Sequence, residues 1–233
     1  MRGRLLLMKA YVIKRMAVVL SATAGLSLVA FAAAGTFAWT RGWALLTLNL
    51  ALLALGFVLM SHFNPGLLEA RSAKHAGVKP FDRVISGIYS ALVFAVPVVA
   101  GLDAVRFRWS ALPVGSLYAG IALYLLGGAL ISGAVVSNPW LETQVRIQED
   151  RGHRVAAGGP YRFVRHPMYA GIVAQYLGIP SVLGSAWACV PAFLIVALLV
   201  VRTVLEERTL RAELPGYEEY TQRTRYRLAP LVW

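Results

Sequence analysis

Two polar stretches of this sequence carry side chains whose types could do chemistry together. The first is RIQEDRGHRVAAGGPYRFVRHPMYAG, Arg146 to Gly171, and the second is RTVLEERTLRAELPGYEEYTQRTRYRLAP, Arg202 to Pro230. In the first, Gly158, Gly159 and Pro160 form a turn that lets backbone amides approach a ligand closely. Tyr161, His166 and Tyr169 add aromatic faces and neutral hydrogen-bonding groups beside Arg162 and Arg165. That mixture suits a ligand with a flat ring and polar ends. In the second stretch Arg202 and Glu206 lie four apart and so share a helical face. Glu207 is adjacent to Glu206 and points elsewhere, so at most one of the two acids enters a site with Arg202.

Plainer readings of the same residues stand beside this one. An arginine-rich edge anchors membrane topology, an Arg202/Glu206 pair can be a surface salt bridge, and His166 before Pro167 suits a helix start. His62, His75 and His153 are scattered without ligand spacing, so no metal site is expected. The single cysteine, Cys189, sits in an apolar run, which excludes disulfides and cysteine-rich metal centres. No glycine-rich phosphate loop follows a strand, which excludes the soluble nucleotide-binding folds.

The elements that must position these residues are membrane helices. The chain has 233 residues, 58% of them hydrophobic and 15% charged, a balance foreign to a soluble domain of this size. Uncharged runs extend over Met16–Trp39, Trp43–Met60, Val84–Leu102 and Ala111–Val136, each close to the ~20 residues that cross a hydrocarbon core. A fifth, Met168–Val201, would be about 50 Å long as one helix, and Gly178, Pro180 and Gly184 interrupt it. It is expected to be a hairpin of two helices, the first short.

Charge placement supports the hairpin. With six spans and a cytoplasmic N-terminus, the 23 Lys and Arg residues all fall on the cytoplasmic side except Arg41, Arg106 and Arg108, as positively charged loops do. A single crossing would carry Arg202, Arg208, Arg211, Arg223, Arg225 and Arg227 to the other side. The net charge of +12 is then a topology signal and an attraction to anionic headgroups rather than a nucleic-acid surface. The charged start resembles a signal peptide, but its apolar run is too long and lacks a small-residue cleavage site, so it is expected to stay as the first span.

The expected architecture is all-α, a polytopic transmembrane helix bundle of about six spans, ending in a helical hairpin and a cytoplasmic C-terminal helix. Residues 1–136 hold four spans and a cytoplasmic loop at 61–83. Residues 137–233 form a ligand-binding region around the hairpin 168–201, in one integrated membrane domain. Pro215 and Gly216 are expected to stop the helix that continues the last span. Gly128 with Ser132 and Ala129 with Gly133 are small residues four apart, a spacing that permits close helix approach in membranes.

GGPYRFVRHPMYAG, followed by RTVLEERTL and LPGYEEYTQRTRYRLAP, resembles the integral-membrane methyltransferases typified by isoprenylcysteine carboxyl methyltransferase and phosphatidylethanolamine N-methyltransferase, most closely their bacterial relatives. The resemblance runs from SNPW at Ser137 to the C-terminus, with FNPGLLEAR at Phe63 a weaker part of it. It implies an S-adenosyl-L-methionine-dependent methyltransferase of the bacterial inner membrane, both termini cytoplasmic, acting on a lipophilic acceptor that arrives laterally from the membrane lipids. By position, Tyr161, His166, Pro167, Tyr169 and Gly171 match the first cofactor motif, and Glu206 and Glu207 the acidic pair of the second. Gly159 joins them through its turn. Arg202 takes the place of the family's substrate-side arginine, with Glu206 its catalytic companion. Methyl transfer needs mainly orientation; a carboxylate acceptor is already ionised, whereas an amine or thiol would need Glu206 or His166 as base. The C-terminal part also resembles membrane sterol reductases, so an NADPH-dependent reductase of an unsaturated lipid is one alternative and a non-catalytic lipid- or partner-binding membrane protein another.

Overall fold

The computed structural model describes residues 2–71 and 77–233, with the side chains of 2–12 and 15 excepted. Lys74 and His75, and the side chains of Arg2, Arg4, Lys9 and Arg15, therefore lie outside the described residues. The described chain is a helical bundle: α1 Arg2–Ala34, α2 Thr40–Phe63, α3 Pro65–Ala70, α4 Pro80–Gly101, α5 Val114–Ser137, α6 Pro167–Leu183, α7 Cys189–Glu213 and α8 Tyr217–Arg223. Prolines begin α3, α4 and α6, where a missing N–H costs nothing. The helix α4 contains Pro97 and runs on into a π-helical turn, Leu102–Phe107.

Among the described residues, five segments are long and apolar enough to cross a membrane: Met16–Ala34, Thr40–Phe63, Pro80–Phe107, Val114–Ser137 and Cys189–Glu213. The helix α6, 17 residues long, is the short member of the expected hairpin. Its turn falls at Gly184–Ala188, and Gly184 ends α6 with φ +80°, a left-handed position that glycine adopts without strain. Pro180 lies inside α6 rather than in the turn. The protein is thus an integral membrane helix bundle.

The far end is clamped by buried polar groups. Asp103 accepts hydrogen bonds from Ser110 N and Oγ (2.7 and 2.6 Å), Ser185 Oγ (2.6 Å) and Trp187 N (3.2 Å), so the turn of the hairpin is tied to the end of α4. Arg41 donates to Ser116 Oγ and the carbonyls of Ser181, Leu112 and Pro113. Arg41, one of the three arginines expected outside, is therefore a structural tie.

Antiparallel α5 and α6 touch backbone to backbone at two glycine pairs seven residues apart. A Cβ built on Gly127 would lie 2.4 Å from Gly171 O, and one on Gly171 2.6 Å from Gly127 O; at Gly120 and Gly178 the reciprocal distances are both 2.7 Å. The sequence drew attention to other small residues. Gly128 instead receives Leu52 of α2, and Gly133 faces the ring of Pro160. A spacing of four marks small residues but not which neighbour they meet.

Gly127→Ala should cost at least ~1–3 kcal/mol, because the added methyl has backbone rather than a flexible side chain against it. Gly56→Ala, with nothing within 4 Å of its new Cβ, serves as control and should not destabilise. Thermal unfolding in detergent checks this; equal midpoints for the two variants would contradict the contact.

Candidate functional site

The chain between α5 and α6 folds over the polar end of the bundle, and its path is fixed by buried charge. Arg146 makes a bidentate pair with Glu142 (2.8 and 2.9 Å) and reaches Asp150 at 2.7 Å. Buried Gln148 donates to Trp140 O at 2.6 Å and accepts from Arg151 at 2.6 Å. Gly159, with φ +55°, packs so tightly that a Cβ there would lie 2.1 Å from Ser137 Oγ, which pins the turn to the end of α5.

The C-terminal tail closes the other side. Arg165 N and His166 N donate to Tyr226 O and Arg227 O at 2.9 and 3.0 Å. The Arg165 guanidinium donates to the carbonyls of Thr224 and Arg225 and to Glu207, all at 2.7 Å. Glu207, 2% exposed, also holds Arg227 and, four residues along α7, Arg211. Its carboxylate links hairpin, α7 and tail. Tyr220 of α8 adds a hydrogen bond to Tyr161 O at 2.7 Å.

These parts surround an open cavity. Among its lining residues are Tyr161, His166, Tyr169, Glu206, Tyr217 and Tyr220. The His166 ring lies nearly parallel to that of Tyr169, at 8° and 5.8 Å. Tyr169 OH donates to Glu206 at 2.5 Å, and the Arg202 guanidinium sits 5.3 Å from the Tyr169 ring centre. Burial holds the His166 imidazole down at about 4, so it is neutral at pH 7. His166 does stand at the start of α6, but its side chain makes no capping bond and the ring turns to the cavity instead.

The structure separates residues that the sequence grouped. Tyr161, His166, Tyr169 and Glu206 line the cavity; Gly159, Pro167, Gly171, Glu207 and Arg202 do not. Gly171 is a helix contact, Gly159 a turn contact, and Glu207 is saturated by arginines. Of the two adjacent acids, Glu206 lines the cavity and Glu207 does not. Arg202 pairs with neither: its Nη2 lies 2.8 Å from Asp82 Oδ1 and donates to Thr143 O at 2.8 Å.

Asp82 is the residue that sequence reasoning missed. It is fully buried at the first turn of α4, and its Oδ2 accepts from Val145 N at 2.9 Å. It thereby ties α4, the folded loop and Arg202 together. The only sequence signal was an acid just after Pro80 at a helix start, a place where acids are common for dipole reasons alone. Glu142 and Tyr217 also lacked any signal stronger than polarity near a span.

The arrangement offers a ligand aromatic faces, a carboxylate, and a neutral imidazole in a pocket at the membrane-span boundary. Such a set suits a planar ring and a cation, which aromatic faces attract. An arginine held beside it can orient an oxyanion.

Buried His166 and half-buried His153 predict a pH response. Burial also lowers His153 to about 4. A group whose folded value lies below its unfolded ~6.5 stabilises fully above that value, and the contribution drains away as pH falls towards 4. His166 should therefore contribute a slope of at most ~1.4 kcal/mol per pH unit in that window, and His166→Asn should flatten the stability profile between pH ~6.5 and ~4. An unchanged profile in that variant, measured by thermal unfolding, would contradict a neutral buried ring.

No curated protein matches the chain. A family model matches residues 121–212, the stretch that runs from within α5 to near the end of α7 and holds both the hairpin and every cavity residue the sequence singled out. That model describes the Isoprenylcysteine carboxyl methyltransferase (ICMT) family, to which the chain is similar over that stretch.

Proposed function

We propose that this protein transfers a methyl group from S-adenosyl-L-methionine to a lipophilic acceptor at the cytoplasmic face of a bacterial inner membrane, with both termini on that face. The carrying observation is the cavity that brings His166, just before α6, and Tyr169 of α6 beside Glu206 of α7, at the end of the bundle where the basic residues collect. Methyl donor and acceptor live in different media, and this pocket lies where those media meet. Residues 137–233 would form the donor-binding region.

The lining fits the donor. Tyr161, Tyr217 and Tyr220 would offer ring faces to the adenine, while His166, Tyr169 and Glu206 would face the charged end. Bound there, S-adenosyl-L-methionine supplies an activated methyl on a sulfonium. Glu207 would act from behind the wall, holding Arg165 and the tail in place, and Gly159, Pro167 and Gly171 would shape the backbone rather than touch the ligand.

Arg202 would hold the acceptor. Asp82, Thr143 O and the Tyr169 ring fix its guanidinium, yet its Nε is buried without a hydrogen-bond partner. That leaves a donor for an acceptor oxygen, as in a carboxylate. For an amine or thiol acceptor, Glu206 is the group placed to take the proton, since neutral His166 is too weak a base at about 4.

Asp82 changes what an Arg202 substitution does. Arg202→Met strands a buried carboxylate and should cost ~3–5 kcal/mol. The double variant Asp82→Asn/Arg202→Met should recover most of that stability and still fail to turn over. A double variant that methylates membrane lipid extract as the wild type does would remove Arg202 from the site. Calorimetry with S-adenosylhomocysteine on detergent-purified protein tests the donor pocket. Binding should be weakened about tenfold or more by His166→Ala, the loss of ~1.4 kcal/mol of contact. NADPH should not bind; NADPH binding without S-adenosylhomocysteine binding would replace this reading by the reductase.

A further inference from the structure

A second cavity, open on one side, lies within the membrane-spanning part of the bundle, bounded by α1, α2, α4, α5 and α6. The helix α1 packs mainly on α4, and α2 on α5 and α6. Phe31 meets Trp39 and Trp43 where α1 turns into α2, and the cavity extends below that aromatic contact. Its walls are mostly aliphatic and aromatic carbon, with a polar group set among them. Asn49 Nδ2 donates to Tyr124 OH at 3.1 Å, while Asn49 Oδ1 is buried with no hydrogen-bond partner. Nearby in the lining, Tyr176 accepts from Tyr89 OH at 3.3 Å.

An unpaired amide oxygen among hydrocarbon is costly, and polar side chains at such depth are functional candidates. The occupant that would pair it must come from the bilayer and must itself be uncharged, because among the described residues no ionisable carboxylate, lysine or arginine lines the cavity. The oxygen as placed needs a hydrogen-bond donor. If the amide is turned the other way, its nitrogen needs an acceptor. A hydroxyl satisfies Asn49 in either orientation, which a carbonyl, an ether or a hydrocarbon does not. Water would need two to four polar partners to be held there, and the lining is predominantly apolar.

We propose that this cavity is a binding site for an uncharged lipid alcohol, its hydroxyl on Asn49 and its chain along the apolar walls between α1 and α2. The site is not the methyl-transfer centre. Val96, Tyr169, Ile195 and Leu199 form a buried cluster on the side towards Glu206, and a neutral hydroxyl is a poor methyl acceptor without a base beside it. Along α6, Tyr176 of this cavity stands two turns beyond Tyr169. The residues that build it in α1, α2 and α4 lie outside the stretch matched to the methyltransferase family.

The test uses the full chain in lipid nanodiscs and a pair of photoprobes. One is farnesol bearing a diazirine; the other is the matching hydrocarbon with the hydroxyl replaced by hydrogen. Labelling is mapped to tryptic and chymotryptic peptides of α1 and α2. Farnesol probe should label those peptides about five- to tenfold more than the hydrocarbon, the effect of one buried hydrogen bond. Asn49→Leu should abolish the difference, and Leu46→Trp, which fills the cavity, should abolish labelling by both probes. S-adenosylhomocysteine binding should be unchanged in both variants, so a failed donor pocket and a failed lipid site are told apart. Equal labelling of the wild type by the two probes, a preference that survives Asn49→Leu, or no labelling of these helices overturns the proposal. If Asn49→Leu does not fold, Tyr124→Phe, which keeps the volume and removes the hydroxyl that holds Asn49, should reduce the preference, and an undiminished preference overturns the proposal in the same way.

Discussion

Where α5 and α6 cross, carbonyl oxygens of one helix occupy space that a side chain of the other would need. Gly120 and Gly127 face Gly178 and Gly171, so the two backbones come as close as two helices can. Everything at the polar end depends on that contact, because it fixes the start of α6 against the end of α5. His166 and Tyr169 follow from the first, and Asn138, whose side chain donates to Tyr161 OH at 3.0 Å, from the second. In a bilayer no hydrophobic force drives helix to helix, so close packing between small residues carries the association.

Above this contact the structure is held by charges taken out of water, an arrangement that is stable only when each is paired. The neighbouring acids of α7 divide the work. Glu207 is enclosed by Arg165 and Arg227 and fastens the tail across the hairpin, while Glu206 keeps one oxygen on Tyr169 and its other oxygen has no hydrogen-bond partner among the described residues. Asp82 plays for Arg202 the part that Glu207 plays for Arg165. Both pairs join segments far apart in the chain, and both set the direction of a side chain beside the cavity.

The helices were legible because membrane spans announce themselves through length and hydropathy, and the hairpin through its glycines, proline and the placement of arginine. Tyr161, His166, Tyr169 and Glu206 were legible as polar aromatic and acidic groups at a span boundary. What the sequence hid was the use of each glycine and each charge. Gly171 and Gly159 read as ligand contacts but serve packing, since a glycine signals close approach without saying to what. Arg202 and Glu206 share a helical face, yet each takes its partner from elsewhere, and a partner distant in sequence leaves no local pattern. Asp82 and Asn49 were invisible for that reason.

The central claim is that the cavity between the folded loop, the hairpin and α8 is where the methyl donor binds. Direct ultraviolet crosslinking of S-adenosyl-L-methionine to the purified protein, followed by peptide mapping, addresses it without knowledge of the acceptor. Label competed by S-adenosylhomocysteine should appear on peptides containing Tyr161, Tyr169, Tyr217 or Tyr220. Competed label confined to α1, α2 or the far end of the bundle, or no competed label on folded protein, would contradict the account.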